Sequence, residues 1–198
     1  MNDKRIVVAV TGASGAAYAV RLLQCLAGAG AEIHLVISPH GRHLLSAELD
    51  ITDANPQALV GDHADRLTLY DHQDMGCRLA SGSFRTDGMV ICPCSSNTLA
   101  AIAAGLGDNL IRRAAAVTLK EARRLILVPR ETPLSPIDIE GMLTISRAGG
   151  IICPATPGFY LRPQRVEDLI DFVVGKVLDL LDIEHALPTR WDESPGTG

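Results

Sequence analysis

The sequence contains few aromatic residues and no long apolar run. Only 4% of its 198 residues are aromatic, so the core must be built from aliphatic side chains. No apolar run reaches the roughly 20 residues that a membrane-spanning helix needs. The first five residues lead directly into a strand-like run, which leaves no room for the apolar segment of a signal peptide. We therefore expect a cytoplasmic protein with no membrane partner.

Cysteine pairs and basic residues are also scarce. The five cysteines are odd in number and lie mostly in apolar runs, as is typical of reduced thiols in the cytosol. Cys92 and Cys94 form a C-x-C pair, whereas zinc and redox sites use C-x-x-C. The net charge of −5 argues against a nucleic-acid partner. We therefore expect no metal site and no nucleic acid.

The chain alternates short apolar runs with segments of helical periodicity. Strand-like runs rich in β-branched residues occupy positions 5–10, 32–38, 67–70, 88–92, 125–128 and 151–153. Continuous apolar runs of this kind are typical of strands covered on both faces. Helical patterns separate most of them and predict a doubly wound, mostly parallel sheet in a three-layer α/β arrangement. We expect a single domain over residues 1–184 and a tail over residues 185–198.

Two polar turns each follow a buried strand and open a helix. Residues 11–16 read TGASGA, and residues 93–98 read PCSSNT. A helix N-terminus offers backbone N–H groups to an anion, so both turns are candidate phosphate sites. The alternative is simple capping, by Ser14 in the first turn and by Ser95 or Ser96 in the second. Ser38, at the end of the second strand, should lie beside the first turn.

Charged side chains follow two strands that we expect to be neighbours. Arg130 and Glu131 come directly after the run at 125–128, and Tyr160 follows the run at 151–153. Ligands of open α/β sheets bind at this carboxyl edge. Arg113 and Lys120 are seven residues apart and share a helix face. The remaining arginines of that helical segment, Arg112, Arg123 and Arg124, are expected to be solvated.

Six motifs in this order resemble the UbiX family of flavin prenyltransferases. They are TGASGA at 11–16, ASGS at 80–83, RAA at 113–115, LKE at 119–121, PRETPL at 129–134 and PGFY at 157–160. The resemblance extends over nearly the whole chain, as far as Trp191. It implies a Rossmann-like or flavodoxin-like domain with FMN bound between the subunits of a trimer-based homo-oligomer, often a dodecamer. It also implies transfer of a dimethylallyl group from dimethylallyl phosphate to N5 and C6 of reduced FMN, with prenylated FMN passed to a UbiD-type decarboxylase.

The resemblance also implies roles for individual residues. FMN contacts are implied for Gly12, Ala13, Ser14, Ser38, Ser95, Ser96, Asn97, Thr98 and Arg130. Contacts with the prenyl phosphate are implied for Ser81, Arg113, Lys120, Arg130, Glu131, Tyr160, Lys176 and Trp191. Catalytic roles are implied for Ser14, Glu48, Lys120, Glu131 and Tyr160.

These implied roles agree with the chemistry of a phosphate leaving group. A dianionic phosphate needs several cations, which Arg113, Lys120 and Arg130 supply. Fixed cations stabilise the negative charge that develops as the allylic C–O bond ionises. Glu131 can accept or relay a proton beside that phosphate. The sequence has no Asp-Asp-x-x-Asp motif to hold Mg²⁺ on a diphosphate, which favours a metal-independent enzyme that uses a monophosphate.

Three departures from the family pattern leave alternatives open. Lys176 stands where the family usually has Arg, which keeps the charge but loses the bidentate fork. Residues 138–141 read DIEG where the family usually reads HLEN, and residues 95–98 lean toward the flavin-containing cysteine decarboxylases. The alternatives are an FMN-dependent peptidyl-cysteine decarboxylase and a non-catalytic FMN-binding regulatory subunit. In an α/β domain without a cofactor, the same charged residues would be surface ion pairs.

Overall fold

A computed structural model describes residues 4–189 and contains one six-stranded sheet. Every neighbouring pair of strands is parallel, and the strand order is β3-β2-β1-β4-β5-β6. The chain reverses its direction of winding between β1 and β4, so the predicted doubly wound parallel sheet is confirmed. The strands are β1 Arg5–Val10, β2 Glu32–Ile37, β3 Leu67–Tyr70, β4 Gly88–Cys94, β5 Arg124–Pro129 and β6 Ile151–Ile152.

Helices cover both faces of this sheet. On one face, α1 and α7 pack on the even-numbered residues of β1, such as Ile6 and Val8. On the other face, α4, α5 and α6 pack on the odd-numbered residues Val7 and Ala9. This division follows from the alternation of side chains along a strand. The helices are α1 Ala16–Gly28, α2 Pro39–Leu49, α3 Pro56–Val60, α4 Ser96–Ala103, α5 Leu110–Lys120, α6 Pro136–Arg147 and α7 Val166–Leu180.

The ends of several elements differ from the sequence prediction. The segment before β3, for which no element was predicted, contains α3 and a 3₁₀ turn at Gly61–Arg66. Helix α3 begins there because the Asn55 side chain accepts a hydrogen bond from the Ala58 N–H and Pro56 fits the first helical position. β4 continues through Cys94, which pairs with Pro129 beyond an irregularity in the register. α5 ends at Lys120 rather than near Arg123, and Ala122 beyond it has a positive φ of 51°.

The described part of the predicted tail packs against the domain. His185 Nε2 lies 3.2 Å from the Asp179 carboxylate of α7, and the Thr189 side chain lies against Gly175 of the same helix. Trp191, assigned to the substrate site by the resemblance, lies outside the described residues. Within residues 4–189, no helix is long and apolar enough to span a membrane, and no cluster of His, Cys, Asp and Glu could hold a metal ion.

Candidate active site at the switch point

The two polar turns predicted as anion sites face each other across β1 and β4. The buried hydroxyl of Thr11 donates a hydrogen bond to the Pro93 carbonyl at 2.8 Å and accepts one from the Ser95 N–H at 2.8 Å. A single side chain therefore fixes the relative position of both turns. The Thr11 hydroxyl is a part of the site that sequence reasoning did not single out.

Close approach to α2 explains the glycine in the first turn. A Cβ added to Gly12 would lie 2.6 Å from the Cβ of His40, so this position cannot carry a side chain without movement of α2. Ser38 caps α2, and its hydroxyl accepts a hydrogen bond from the Gly41 N–H at 3.0 Å. Ser38 therefore lies beside the first turn, as the sequence predicted.

The N-terminus of α1 is occupied by a carboxylate of the protein itself. Glu48 of α2 accepts hydrogen bonds from the backbone N–H groups of Gly15 at 2.9 Å and Ala16 at 2.8 Å. The alternative in which Ser14 caps this helix is therefore wrong, since Gly15 is the N-cap residue and Glu48 supplies the acceptor. An anion bound at the first turn cannot use these two N–H groups while Glu48 holds them.

Glu48 is held in its charged form. Its burial alone would raise the pKa of the carboxyl above its usual 4.5, but the opposing effects are together larger. Hydrogen bonds from the Ser14 side chain and from the Ala16 and Gly15 N–H groups, with the charge of Arg130, lower the pKa overall. Arg130 is close because its Nε donates to the Ser14 carbonyl at 3.1 Å.

We expect Glu48→Gln to reduce stability in a pH-dependent way. The pKa of Glu48 is lower in the folded state than in the unfolded chain, so its stabilising effect is complete above the unfolded pKa. It is lost as the pH falls through the folded pKa. Near neutral pH the substitution should lower the free energy of unfolding by about 0.5 kcal/mol, since solvent screens this exposed carboxylate, and at about pH 3 the difference should be smaller. Urea denaturation of the wild type and of Glu48→Gln at both pH values measures the change in the free energy of unfolding, with Glu140→Gln as a surface control. An equal change at the two pH values would contradict the prediction.

The N-terminus of α4 keeps backbone donors for an anion. Ser95 caps the helix, and its hydroxyl accepts a hydrogen bond from the Thr98 N–H at 3.3 Å, so the predicted capping role is confirmed for Ser95. Ser96 and Asn97 form the first turn, where backbone N–H groups have no partner within the helix. Of the two predicted phosphate sites, this second turn is therefore better suited to an anion.

Arg130, Glu131 and Tyr160 follow β5 and β6, which are adjacent strands. Ser96 links Glu131 to the second turn, since its hydroxyl donates to Glu131 Oε2 at 3.3 Å. The Tyr160 ring is half exposed and packs edge-on against Phe172 of α7, with 5.8 Å between ring centroids. These residues line the carboxyl edge of the sheet beside the two turns.

Lys176 projects from α7 near the end of β6. Burial raises the pKa of the Cys153 thiol, just after β6, while the positive charge of Lys176 opposes that rise. The lysine charge therefore lies near Cys153, just beyond the end of β6.

The other predicted phosphate ligands lie at the opposite edge of the sheet. Lys120 ends α5 only a few residues before β5 begins, whereas Arg130 follows the last residue of β5. A strand of six residues is about 20 Å long, so these two cations are far apart within one chain. Arg113 lies near Ser81 and donates from Nε to the Ala80 carbonyl at 3.0 Å. One chain thus holds two groups: Arg130, Glu131 and Tyr160, and Ser81, Arg113 and Lys120.

Two of the arginines expected to be solvated are largely buried. The side chain of Arg123 is 15% exposed, and it donates to the Phe84 carbonyl at 2.7 Å and the Gly82 carbonyl at 2.6 Å. Arg112 is also 15% exposed and pairs with Asp108 at 2.8 Å. Sequence spacing could not identify the partners of Arg123, because they are backbone carbonyls about 40 residues earlier in the chain.

A buried histidine lies outside the predicted site. His34 of β2 is 1% exposed, with Nδ1 3.0 Å from the Tyr70 hydroxyl and Nε2 3.1 Å from the Glu32 carboxylate. Burial lowers the pKa of His34 despite the nearby Glu32. The Phe84 ring contacts the imidazole edge-on, and the Arg5 guanidinium lies over the same ring, 4.7 Å from its centroid. This cluster anchors one end of the loop that contains Ser81.

Comparison with known proteins agrees with this geometry. The family model described as Flavoprotein matches residues 1–178. A flavin prenyltransferase UbiX of Pseudomonas aeruginosa is 46% identical over 97% of this chain and 96% of its own length. The crystal structure of AnUbiX in complex with FMN and dimethylallyl pyrophosphate has a TM-score of 0.90 at 45% identity and covers 96% of this chain and 98% of its own. A dodecameric FMN-dependent UbiX-like decarboxylase of Escherichia coli O157:H7 has a TM-score of 0.88 at 43% identity, with coverage of 95% and 99%.

The doubly wound sheet, with its two facing turns at the switch point, is that of an α/β flavoprotein. Within that class, the chain belongs to the UbiX family of flavin prenyltransferases, which confirms the resemblance seen in the sequence.

Proposed function

We propose that this protein transfers a dimethylallyl group from dimethylallyl monophosphate to N5 and C6 of reduced FMN. The product, prenylated FMN, would be passed to a UbiD-type decarboxylase. The observation that carries the proposal is the meeting of Arg130 and Glu131 with both turns at the switch point, through Ser14 and Ser96. The similarity to flavin prenyltransferases over nearly the whole chain supports the same reaction.

The residues at the switch point fit FMN. Gly12 is exposed and has no side chain, so a planar or phosphorylated group can approach the backbone of the first turn on the side away from His40. The first turn of α4, with Ser95 to Thr98 around it, offers donors to the FMN phosphate. Ala13 and Ser38 lie on the neighbouring turn, and Arg130 adds a positive charge. When bound, FMN would supply the nucleophilic ring atoms, and the protein would orient them and exclude water.

The charged residues act on the departing phosphate. As the allylic C–O bond breaks, negative charge accumulates on the phosphate oxygens, and the guanidinium of Arg130 stabilises it. Tyr160 can donate its phenolic hydrogen to the same oxygens, and Lys176 adds a second charge near the end of β6. Glu131 can take up or return a proton beside the phosphate, because its carboxylate lies next to Arg130 and within reach of the Ser96 hydroxyl.

We further propose that the site is completed by a second copy of the chain. Ser81, Arg113 and Lys120 lie at the opposite edge of the sheet from Arg130, so one chain cannot gather both groups around one phosphate. Large apolar side chains are exposed near the carboxyl edge, and exposed apolar patches of this kind mark protein interfaces. They include Leu134, Ile137, Phe159, Tyr160, Leu161 and Val166. A trimer-based oligomer, such as a dodecamer, would bring the second group of one subunit to the first group of its neighbour.

Incubation of the purified protein with reduced FMN and dimethylallyl monophosphate tests the function directly. We expect a flavin heavier by one C5 unit in mass spectrometry, without added metal. The diphosphate should react more slowly in a parallel reaction. FMN that remains bound without a change in mass would contradict the proposal and favour peptidyl-cysteine decarboxylation, which a cysteine-terminated peptide would reveal by loss of CO₂.

A further inference from the structure

The loop that carries Ser81 is a tight turn held mainly by its own polar groups. The Phe84 N–H donates to the Ser81 carbonyl at 3.3 Å, and the Ser81 and Ser83 hydroxyls are 2.9 Å apart. Both serine residues are exposed, so the solvent side of this turn offers no packing to fix the Ser81 hydroxyl. Its position must be set from the side that faces the domain.

Arg123 holds that inner side. One terminal nitrogen of its guanidinium donates to the Phe84 carbonyl, and the other donates to the Gly82 carbonyl. Two donors of one planar group on two carbonyls of the turn fix both its distance and its orientation. Arg123 follows α5 closely in the chain, so the turn is tied to the end of the helix that carries Lys120.

Glu121 joins Lys120 to the same arginine. Its carboxylate lies 3.3 Å from Lys120 Nζ and 3.8 Å from the Arg123 guanidinium. Lys120 is 54% exposed and Glu121 is 35% exposed, so Coulomb attraction alone contributes little to stability here. The contact between Lys120 and Glu121 instead gives the long, otherwise mobile lysine side chain a preferred direction.

Gly82 leaves the space that this carboxylate occupies. A Cβ at position 82 would overlap the Glu121 carboxylate, and the three atoms nearest to it all belong to the Glu121 side chain. The backbone at Gly82 does not have the positive φ that only glycine adopts readily, so alanine would fit the turn itself. An alanine here would therefore displace the end of the flexible Glu121 side chain and leave the fold intact.

We propose that Arg123, Glu121 and Gly82 form a positioning clamp that holds Ser81 and Lys120 at a fixed separation for binding the prenyl phosphate. This inference rests on the proposed function, because it takes Ser81 and Lys120 as phosphate ligands. The three residues act through these ligands and touch no reacting atom. Their loss should therefore raise the KM for dimethylallyl monophosphate more than it lowers kcat.

Two substitutions test the clamp in the FMN-loaded protein, each with a matched control. Gly82→Ala and Arg123→Lys should each raise the KM for dimethylallyl monophosphate by about tenfold, with FMN affinity unchanged. The midpoint of urea unfolding should stay unchanged in Gly82→Ala, whereas Arg123→Lys should lower it because one of two hydrogen bonds to the turn is lost. The controls are Gly76→Ala in the same loop, where a Cβ makes only ordinary contact, and Arg124→Lys, which pairs with Asp182 at the surface. Both controls should keep the wild-type KM.

A double-mutant cycle separates the clamp from a general effect on the loop. If Gly82→Ala acts by displacing the Glu121 carboxylate, it should have no further effect on KM in a Glu121→Ala background. This expectation does not depend on whether Glu121→Ala itself raises or lowers KM. Equal effects of Gly82→Ala in both backgrounds, or an unchanged KM in both clamp variants, would overturn the inference.

The same variants distinguish failure of the clamp from failure of the proposed function. Binding of dimethylallyl monophosphate and of inorganic phosphate can be measured by calorimetry without turnover. If the wild-type protein makes no prenylated flavin but binds these phosphates, and the clamp variants bind them about tenfold more weakly, the clamp stands and the proposed reaction falls. If the wild-type protein binds neither phosphate, or binds both as tightly as the variants do, the clamp is wrong.

Discussion

Glu131→Gln is expected to slow flavin prenylation by about a hundredfold or more while FMN remains bound. The glutamine side chain keeps the shape of the carboxylate: its amide oxygen can accept the hydrogen bond from the Thr132 N–H, and its amide nitrogen can donate to the Ser96 hydroxyl. It cannot take up a proton beside the phosphate, and it no longer carries a negative charge next to Arg130. Single-turnover formation of the C5-extended flavin, followed by mass, measures the change.

A control on the neighbouring helix tests whether the effect belongs to this carboxylate. Glu140→Gln changes an exposed glutamate of α6 in the same way, and it should leave the rate unchanged. The FMN content of both variants, read from the flavin absorbance, should equal that of the wild type. Wild-type rates in Glu131→Gln would remove this residue from the mechanism.

The sheet could be predicted from the sequence because each strand carries its own local signal. The run Leu125 to Val128 is apolar at every position, and its shortness and aliphatic content are typical of a strand covered on both faces. Its end was equally clear, since Arg130 and Glu131 break the apolar run at once. The carboxyl-edge placement of these two residues then followed from the parallel arrangement of the strands.

Contacts between distant segments could not be predicted in this way. The sequence around Gly15 resembles a phosphate cradle, but the acceptor that fills its helix N-terminus is Glu48, which is 33 residues away. The burial of Arg123 depends on carbonyls of the loop before β4. Backbone N–H and carbonyl groups carry no residue-specific signal, so neither partnership left a trace in composition or spacing.

The division of the predicted phosphate ligands between two edges also has a structural cause. Arg113 and Lys120 share a face of α5, as their spacing predicted, but α5 leads into the amino end of β5. Arg130 and Glu131 follow the carboxyl end of the same strand. The motifs are adjacent in sequence because they flank one strand, and that same strand separates them in space.

Mixed oligomers of two inactive variants test whether Arg130 of one chain and Lys120 of another chain belong to the same site. We expect Arg130→Met and Lys120→Met each to reduce the rate of prenylation by at least about a hundredfold, since each removes a cation from the phosphate site. In oligomers assembled from equal amounts of the two variants, a site is intact when Arg130 comes from one chain and Lys120 from the other. Random assembly gives that combination in about a quarter of sites, so about a quarter of the wild-type activity should return.

The matched control mixes two variants of the same group. Arg130→Met and Glu131→Gln both alter the carboxyl edge, so every site in their mixed oligomers receives one damaged edge and activity should stay low. Co-expression of the two chains with different affinity tags, followed by sequential purification, isolates the mixed assemblies. Lack of recovery in the Arg130→Met and Lys120→Met mixture would mean that a single chain provides both cations or that Lys120 does not act on the phosphate. The composite site requires recovery in that mixture and none in the control.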